Sequence, residues 1–582
     1  MDKPLGIVIQ GSLTAGLEIR LHPDISVEDM RVGKFLVVRG VRADFFCILT
    51  DVCLGTSSPR IMANPPSPDD DFLQMVLAGS GTYGTIELAP MLMLNREANR
   101  NEVRSQKSEV RSLNGKNGHD EEKNSSKLAS FEAQTSADIQ LLPVKTIPSH
   151  FSQVYDAQER DFRSVFGWED DPHRCNFSIG EPLDMSVPVC LDLHRFVERS
   201  NGVFGKSGTG KSFLTRLLLA GIIRKQAAVN LVFDMHSEYG WEAVKEGKQF
   251  STVKGLRQIF SGQVEMYTLD PESTRRRGVR DAQELYLGLD QVEVEDIKLV
   301  AHELNLSEAS IDNANILDGE FGKNWITQLV SMTNEDIQMF CDEKRGHKGS
   351  IMALQRKLMR LENLKYMRST CPKNYIDQVL QSLKAGKHVI IEFGSQSDML
   401  SYMLVTNMIT RRIHRSYVKQ AETYLQSKNV SDRPQQLVIT IEEAHRFLDP
   451  SIVHSTIFGT IAREMRKYFV TLLIVDQRPS GIDNEVMSQI GTRITALLND
   501  EKDIDAIFTG VSGAGNLRSV LSKLDSKQQA LILGHAVPMP VVVKTRPYDQ
   551  KFYEEMGDRD WSEMPDAQLF ALAEAAKNDL GF

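Results

Sequence analysis

The sequence predicts an α/β core that follows a small β-rich domain and is interrupted by a helical insertion. From about residue 177, short apolar runs such as VNLVFDMH, KHVIIEF and FVTLLIVDQ alternate with helical stretches. Several runs are almost continuously apolar, as in parallel strands that are covered on both faces. One run leads through a glycine-rich stretch, VFGKSGTGKS, into an amphipathic helix. We therefore expect a largely parallel sheet with helices on its two faces.

The first hundred residues have a different pattern. Four short strand-like runs, separated by Gly, Pro and Asp, are GIVIQGSL, GLEIRLH, KFLVVRG and DFFCILTDV. They predict a small β-barrel or sandwich. The polar stretch at 101–127 mixes both charges and has almost no large apolar residues, which predicts a disordered insertion in a barrel loop.

These patterns predict the following domain limits. The β-barrel occupies 1–175, with the disordered insertion near 101–135. The α/β core occupies 176–255 and 386–548, and helical patterns such as ALQRKLMRLENL predict an insertion over 256–385. The remaining 549–582 form a tail with a short amphipathic helix.

The composition limits the classes of protein to which this chain can belong. The 582 residues carry a net charge of −10, so any nucleic-acid-binding surface must be local, such as a groove or a pore. The six cysteines are scattered, with no C-x-x-C pair and no spacing typical of metal ligands, which indicates a reducing compartment. We find neither a signal peptide nor an apolar run long enough to span a membrane. The sequence thus predicts a cytoplasmic protein without a membrane segment.

The stretch GKSGTGKS matches G-x-x-x-x-G-K-[ST], the phosphate-binding P-loop. Its glycines let the backbone curl so that N–H groups point at phosphate oxygens, and the following helix adds the positive end of its dipole. Lys211 is expected to reach the β- and γ-phosphates and Ser212 to ligate Mg²⁺. The predicted cofactor-binding residues are Gly205, Gly208, Gly210, Lys211, Ser212 and Phe213.

A second motif supplies acids. The apolar run in LVITIEEAH ends in Glu442 and Glu443. An acid at a strand end can hold the water shell of Mg²⁺, and its neighbour can polarise an attacking water molecule. Glu442 stands where Asp is more usual and is the predicted metal residue, partly through water, while Glu443 is the predicted base. The alternative is a pair of solvated acids.

Two further features extend this chemistry. VTLLIVDQRPS predicts a strand that ends in Asp476 and Gln477, and Gln477 is placed to sense a γ-phosphate or orient water. A satisfied loop amide is the alternative. Arg463 and Arg466 in IAREMRKY are three residues apart, so a helix would put them on one face, where either stabilises transition-state charge. The alternative for them is a solvated basic face.

Several of these stretches together resemble one family. PVCLDLHRFVERSNGVFGKSGTGKS, FDMHSEYG, ITIEEAHRFL, IAREMRKYFVTLLIVDQRPSGID and the N-terminal barrel are similar to HerA, in the FtsK–HerA group of RecA-like motor ATPases. The resemblance covers about 4–55, 177–245 and 385–545. Met465, where a small residue is more usual, and the polar stretch at 101–127 depart from the pattern.

The resemblance implies a RecA-like core in a homohexameric ring around double-stranded DNA, with ATP and Mg²⁺ as cofactors. It implies an ATP-dependent DNA translocase or helicase that works with a NurA-type nuclease in end resection during double-strand break repair. In that framework Gln477 is the sensor, and Arg466, in preference to Arg463, is a finger supplied to the neighbouring subunit.

Other functions stay open at this point. The same motifs fit a HerA-like ring that scaffolds and activates an anti-phage defence effector, with ATP setting its assembly state. A polypeptide-moving or conjugation-type ATPase and a small-molecule kinase fit less well. Two basic segments are candidates for a DNA-contacting pore or groove: STRRRGVR, with Arg275, Arg276, Arg277 and Arg280, and QRKLMR in the insertion.

Overall fold

The structure, a computed structural model, describes residues 3–58, 61, 63, 66–67, 69–95, 141–244, 252–344, 346–371, 373–511, 514–525 and 528–558. The polar stretch predicted to be disordered and the predicted tail helix lie outside these residues. Contacts group the chain into two units, 1–211 with 477–546 and 212–476 with 547–582. In the described part of the chain, no helix is long and apolar enough to cross a bilayer.

The strands, in chain order, are β1 (Gly6–Ser12), β2 (Gly16–Leu21), β3 (Phe35–Arg39), β4 (Ala43–Thr56), β5 (Thr82–Asn95), β6 (Leu141–Pro143), β7 (Gln153–Asp156), β8 (Asn176–Pro182), β9 (Val189–Asp192), β10 (Asn201–Phe204), β11 (Val229–Asp234), β12 (Ala243–Val244), β13 (Thr252–Val253), β14 (Val264–Thr268), β15 (Gln283–Glu284), β16 (Leu287–Gly288), β17 (Met367–Arg368), β18 (His388–Glu392), β19 (Leu437–Glu442), β20 (Val470–Asp476), β21 (Thr492–Thr495), β22 (Gln529–Gly534) and β23 (Val541–Thr545).

The α-helices, in the same order, are α1 (Asp71–Ser80), α2 (Glu159–Phe166), α3 (Leu193–Val197), α4 (Lys211–Lys225), α5 (Leu256–Ile259), α6 (Pro271–Arg276), α7 (Val294–Leu299), α8 (Glu308–Phe321), α9 (Trp325–Ser331), α10 (Asn334–Lys344), α11 (Lys348–Glu362), α12 (Tyr375–Lys384), α13 (Met399–Ser427), α14 (His445–Leu448), α15 (Ile457–Glu464), α16 (Asn484–Gln489), α17 (Glu501–Ile507), α18 (Ala514–Ser522) and α19 (Gln550–Glu555).

The first unit contains a closed barrel. Its strands follow the order β2-β1-β7-β3-β4-β5, and β2 pairs with β5 to close the ring, while β6 extends β5. Alternate residues of each strand point inward, as strand geometry requires, so that Leu17 and Ile19 of β2 face Ile86 and Leu88 of β5 in one apolar core. The barrel prediction is confirmed, and the sandwich alternative is excluded by the closing pair.

The first unit also holds a second, mixed group of strands. β10 runs parallel to β21, and β21, β22, β23, β8 and β9 then pair antiparallel in that order. β10 is buried along its whole length, as its apolar sequence NGVF predicts. This strand leads directly into the glycine-rich stretch.

The second unit is built on a parallel sheet. Its strands follow the order β15-β14-β18-β11-β19-β20, and each neighbouring pair is parallel. Every residue of β11, β18, β19 and β20 is buried, which explains why these strands read as continuous apolar runs. The predicted fold class, a P-loop α/β core with an N-terminal barrel and a helical insertion, is confirmed.

Helices α7–α12 form the insertion, between β15 and β18. Trp325 is fully buried in it, and its indole N–H donates to the carbonyl oxygen of Val292 at 3.2 Å. The range predicted as insertion, 256–385, also includes β14, which pairs with β18 in the sheet. β14 joins the sheet because its sequence, VEMYT, is suited to a buried strand, and three of its five residues are β-branched or aromatic.

A buried ionic contact ties the insertion to the core helix α13. Asp296 of α7 is fully buried and accepts from Asn407 Nδ2 at 2.7 Å and from Arg411 Nη2 at 2.5 Å. Burial raises the pKa of Asp296, and the guanidinium of Arg411 opposes that rise. Because each charge would be costly to bury without the other, this pair makes detachment of α7 from α13 unfavourable.

Candidate functional site

The glycine-rich stretch forms a tight loop between β10 and α4. Gly205, Gly208 and Gly210 have φ values of 154°, 77° and 92°, a region that favours glycine. A Cβ atom at Gly205 would also lie 2.7 Å from Thr209 Oγ1 and 2.9 Å from Ala496 Cβ. At Gly210 no atom of the described residues lies within 4 Å of such a position, so the loop is open there. Glycine is therefore required at 205 by both conformation and space.

The loop is held in shape by its own contacts. The amide of Lys206 donates to the carbonyl oxygen of Leu497 at 3.0 Å, and Thr209 Oγ1 donates to the carbonyl oxygen of Lys206 at 2.7 Å. Lys211 Nζ donates to that same carbonyl at 3.1 Å. The ammonium group thus lies over the loop, the position from which a P-loop lysine meets phosphate oxygens.

The helix after the loop continues the predicted nucleotide-binding residues. Ser212 is half-buried in the first turn of α4, next to Lys211. The ring of Phe213 lies 6.3 Å from that of Tyr548, and the guanidinium of Arg216 lies 5.4 Å from the Phe213 ring. Leu214–Ile223 are buried on every face, so α4 is a core helix that is accessible only at its two ends, and not the amphipathic helix predicted from the sequence.

Four neighbouring strands of the second unit end in buried acids. These residues, all at the same edge of the parallel sheet, are Asp234, Glu392, Glu442 and Asp476. Three are fully buried, and Glu442 is 7% exposed. Burying a carboxylate is costly unless a donor or a positive charge meets it, so the partners of these acids define the chemistry of the edge.

In three of the four acids, hydrogen bonds or ion pairs satisfy the carboxylate oxygens. Asp234 accepts from the amides of Glu238 at 2.7 Å, Tyr239 at 2.8 Å and Gly240 at 3.1 Å, and so shapes the loop after β11. Glu392 pairs with both terminal nitrogens of Arg277. The hydrogen bonds of Asp234 give it a structural role.

Asp476 pairs with a histidine. It accepts from the amide of His445 at 2.7 Å and lies 3.0 Å from Nδ1 of the same residue. This hydrogen bond raises the pKa of His445, burial opposes the rise, and the charges of Asp476 and Glu443 reinforce it, against a smaller effect of Arg446. The arrangement favours an imidazolium that neutralises Asp476.

Glu442 differs from the other three acids. Its Oε1 accepts from the hydroxyl of Tyr239 at 2.8 Å, and its amide donates to the hydroxyl of Tyr402 at 2.8 Å. Its Oε2 is buried and has no hydrogen-bond partner among the described residues. Burial raises the pKa of Glu442 well above its ordinary value, the charge of Asp234 adds to the rise, and the Tyr239 hydroxyl opposes it. This oxygen therefore lacks the donor or cation that a buried carboxylate needs.

That free oxygen suits a hydrated cation. Water molecules of a Mg²⁺ ion are hydrogen-bond donors, and the ion's charge would favour the ionised carboxylate. The open P-loop and the hydroxyl of Ser212 are likewise suited to the phosphates and the metal. The residues present thus fit the predicted pair of ATP and Mg²⁺.

Glu443, the predicted base, has an unusual backbone. Its φ is 47°, a left-handed conformation that non-glycine residues rarely adopt and that costs about 1–3 kcal/mol. The side chain is 25% exposed, and Oε2 lies 3.7 Å from Nδ1 of His445. Because of this left-handed backbone conformation, the two consecutive acids point to different surroundings: Glu442 is buried at the sheet edge, and Glu443 is partly open to solvent.

The remaining predicted residues are placed as follows. Gln477 is half-buried and directly follows β20. Arg463 lies in the last turn of α15, and its Nη1 is 3.1 Å from Nδ1 of His454. The prediction that one helix carries both arginines is wrong. Helix α15 ends at Glu464, and the backbone of Arg466 lies in the 3₁₀ turn that follows, Met465–Tyr468.

Sequence reasoning missed the partners of these acids: Tyr239, Tyr402, Arg277 and His445. Only two left a local signal, because Tyr239 follows Glu238 in FDMHSEYG and His445 follows the acids in IEEAH. Tyr402 and Arg277 lie far along the chain from Glu442 and Glu392 and have no such signal.

Family models match two parts of the chain. "Helicase HerA, central domain" matches residues 177–413, and "HAS barrel domain" matches residues 5–111. The DNA double-strand break repair helicase HerA of Pyrococcus furiosus is 24% identical over 437 residues, which are 70% of this chain and 74% of that protein. Its counterpart in Saccharolobus solfataricus is 24% identical over 72% of this chain and 77% of that protein.

Over these two parts the chain is similar to the HerA family. Its HerA-type core is a P-loop ATPase core, and the barrel in front of it is the HAS barrel. The likeness to solved structures is weaker: VirB4 of Thermoanaerobacter pseudethanolicus covers 65% of this chain and 98% of its own, with a TM-score of 0.39 and 14% identity.

A charge-only change at the sheet edge tests the His445–Asp476 pair. We predict that Asp476→Asn lowers the pKa of His445, because the amide still accepts a hydrogen bond but carries no negative charge. The pair's contribution to stability is present below the ordinary histidine pKa of about 6.5 and is lost as the pH rises through the raised pKa.

Hydrogen–deuterium exchange at the imidazole C2 position, read by mass spectrometry over a pH series, measures this pKa. The exposed ring of His302 serves as an internal reference. A His445 pKa that is the same in both proteins would show that Asp476 does not hold the imidazolium.

Proposed function

We propose that this protein is an ATP-dependent translocase or helicase that acts on double-stranded DNA as a hexameric ring. The observation that carries the proposal is the open P-loop of a HerA-type core, together with an acidic strand end at which one oxygen of Glu442 has no partner in the part of the chain that the structure describes. The named relatives are DNA double-strand break repair helicases, which supports DNA as the substrate.

The proposal assigns a role to each residue. The amides of the loop around Gly205, Gly208 and Gly210 hold the phosphates, with Lys211 on the β- and γ-phosphates and Phe213 beside the nucleotide. Bound Mg²⁺ would supply charge neutralisation at the phosphates. Ser212 would ligate it directly, and Glu442 would hold it through water.

Hydrolysis needs a base and charge stabilisation. Glu443, partly exposed and outside the buried edge, orients and deprotonates the attacking water, and Gln477 senses the γ-phosphate. Arg466 or Arg463 stabilises the transition state in a neighbouring subunit. A NurA-type nuclease as partner is part of the same proposal, as are the predicted domain limits, except that β14 belongs to the core sheet and not to the insertion.

The ATPase rate with and without linear duplex DNA tests this function, on protein whose mass in solution is measured in the same sample. We predict a six-subunit particle whose turnover rises with duplex. Lys211→Ala, which loses the phosphate contact, is the control and should abolish turnover under both conditions.

Either of two results would contradict the proposal. Unchanged turnover in Lys211→Ala would show that the activity does not belong to this P-loop. A hexamer whose turnover is indifferent to duplex would favour the alternative, a ring that scaffolds an anti-phage effector and uses ATP to set its assembly.

Substitutions distinguish the roles of the two consecutive acids, Glu442 and Glu443. We predict that Glu443→Gln binds ATP with nearly unchanged affinity but hydrolyses it at least about 100-fold more slowly, since a general base contributes roughly that factor. Binding of a fluorescent ATP analogue and single-turnover hydrolysis give the two quantities. If Glu443→Gln turns over normally while Glu442→Gln does not, the base is Glu442.

A further inference from the structure

Two basic segments that lie far apart in the sequence, STRRRGVR and the KYMR (Lys365–Arg368) that follows QRKLMR, meet on one face of the second unit. Arg275, at the end of α6, forms a 2.8 Å ion pair with Glu284. The hydroxyl of Tyr286 donates to the other oxygen of Glu284 at 3.0 Å. The guanidinium of Arg368, next to α11, lies 4.3 Å from the centre of the Tyr286 ring. The chain of contacts from Arg275 to Arg368 joins the two segments.

Lys365 belongs to the same face. It precedes Arg368 and is exposed, and its charge acts on Asp270, the residue that caps the N-terminus of α6. Burial raises the pKa of Asp270, but hydrogen bonds from Ser395 and Ser273 and the charge of Lys365 bring it below its ordinary value. The basic surface is defined here as Arg275, Arg276, Arg280, Lys365, Arg368 and Tyr286.

The structure separates the cations of this surface from those with internal roles. Arg277, one of the predicted DNA-contacting residues, pairs with the buried Glu392 and is therefore a structural residue. Arg276 and Arg280 are exposed and form no ion pair within the described residues. Arg368 donates to the carbonyl oxygens of Lys365 and Met367 at 2.8 Å, so it is held in place without being neutralised.

The local charge is opposite to that of the whole chain. Between 348 and 373 there are seven basic residues and one acid, in a chain whose net charge is −10. Lys365 and Arg368 belong to the basic surface, and the other basic residues of this stretch are Lys348, Arg356, Lys357, Arg360 and Lys373. Such a concentration of positive charge in an acidic protein favours a polyanionic ligand.

Surface composition and ring contacts favour duplex DNA among polyanions. Protein interfaces have an apolar centre, whereas the described residues of 348–373 include a single exposed large apolar residue, Met359. Single strands bind by stacking bases on aromatic rings. Tyr286, however, is covered by Arg368 and meets the ring of Tyr375 edge-on at 5.7 Å, so it is not free to stack a base.

We propose that the basic surface binds the sugar–phosphate backbone of duplex DNA, in a site separate from the ATP-binding residues. This rests on the proposed function, and it specifies where the insertion and α6 contact the DNA. The contacts are electrostatic and carry no base-sequence preference, since no side chain of the surface is arranged to read base edges.

Neutralising the surface tests the proposal. The variant Arg276→Gln/Arg280→Gln/Lys365→Gln removes three positive charges, and the matched control Lys419→Gln/Lys502→Gln/Lys523→Gln removes three from exposed positions on other elements. Both full-length proteins are first shown to fold by thermal unfolding. Binding to a short fluorescein-labelled blunt duplex is then measured by anisotropy over a salt series.

We predict that the surface variant binds duplex more weakly and that its slope of log affinity against log salt is shallower by roughly 3, about one unit per lost phosphate contact. The control should match the wild type. Equal slopes and affinities in the three proteins would overturn the proposal while leaving a DNA translocase in place. A wild type that does not bind duplex would overturn both this site and the proposed function.

A single-stranded competitor completes the design. We predict that it displaces the duplex only at a large excess. If it competes equally in the wild type and loses that ability in the surface variant, the surface is a single-strand site and the duplex assignment is wrong.

Discussion

The second unit depends on how it stabilises carboxylates that its own sheet buries. Parallel strands bring their carboxyl ends to one edge, and four strands there end in an acid. Isolated buried charges of this kind would cost many kcal/mol. The fold compensates with three different partners: backbone amides for Asp234, a guanidinium for Glu392 and an imidazole for Asp476.

Glu442 is the exception, and the proposed chemistry of this edge depends on it. The hydroxyl of Tyr239 fixes one oxygen, and the other faces no donor in the described structure. The neighbouring residue, Glu443, leaves the edge through a strained backbone, which places two consecutive acids in different surroundings. A difference in environment is what allows one acid to hold a metal's water and the next to accept a proton.

The sequence predicts well what depends on local pattern. β10, β11, β18, β19 and β20 follow from continuous apolar runs, and the P-loop follows from glycines whose positive φ no other residue adopts readily. The barrel follows from alternation, although only the pairing of β2 with β5 distinguishes it from a sandwich.

What the sequence does not predict are the contacts between distant residues. Tyr239 and Glu442 are 203 positions apart, and Arg277 and Glu392 are 115 apart. From the sequence, Arg277 is therefore one more cation in STRRRGVR, although the structure pairs it with the buried Glu392. In the same way, Arg275 and Arg368 lie in separate basic segments of the sequence, and only the structure shows that Glu284 and Tyr286 connect them.

The central claim is that the free oxygen of Glu442 serves the metal that accompanies ATP. Its most direct test is the affinity for a fluorescent ATP analogue, measured in EDTA and over a Mg²⁺ series, in the wild type and in Glu442→Gln. The account predicts equal affinities in EDTA and a much smaller gain from Mg²⁺ in the variant. An undiminished gain from Mg²⁺ in Glu442→Gln would contradict it.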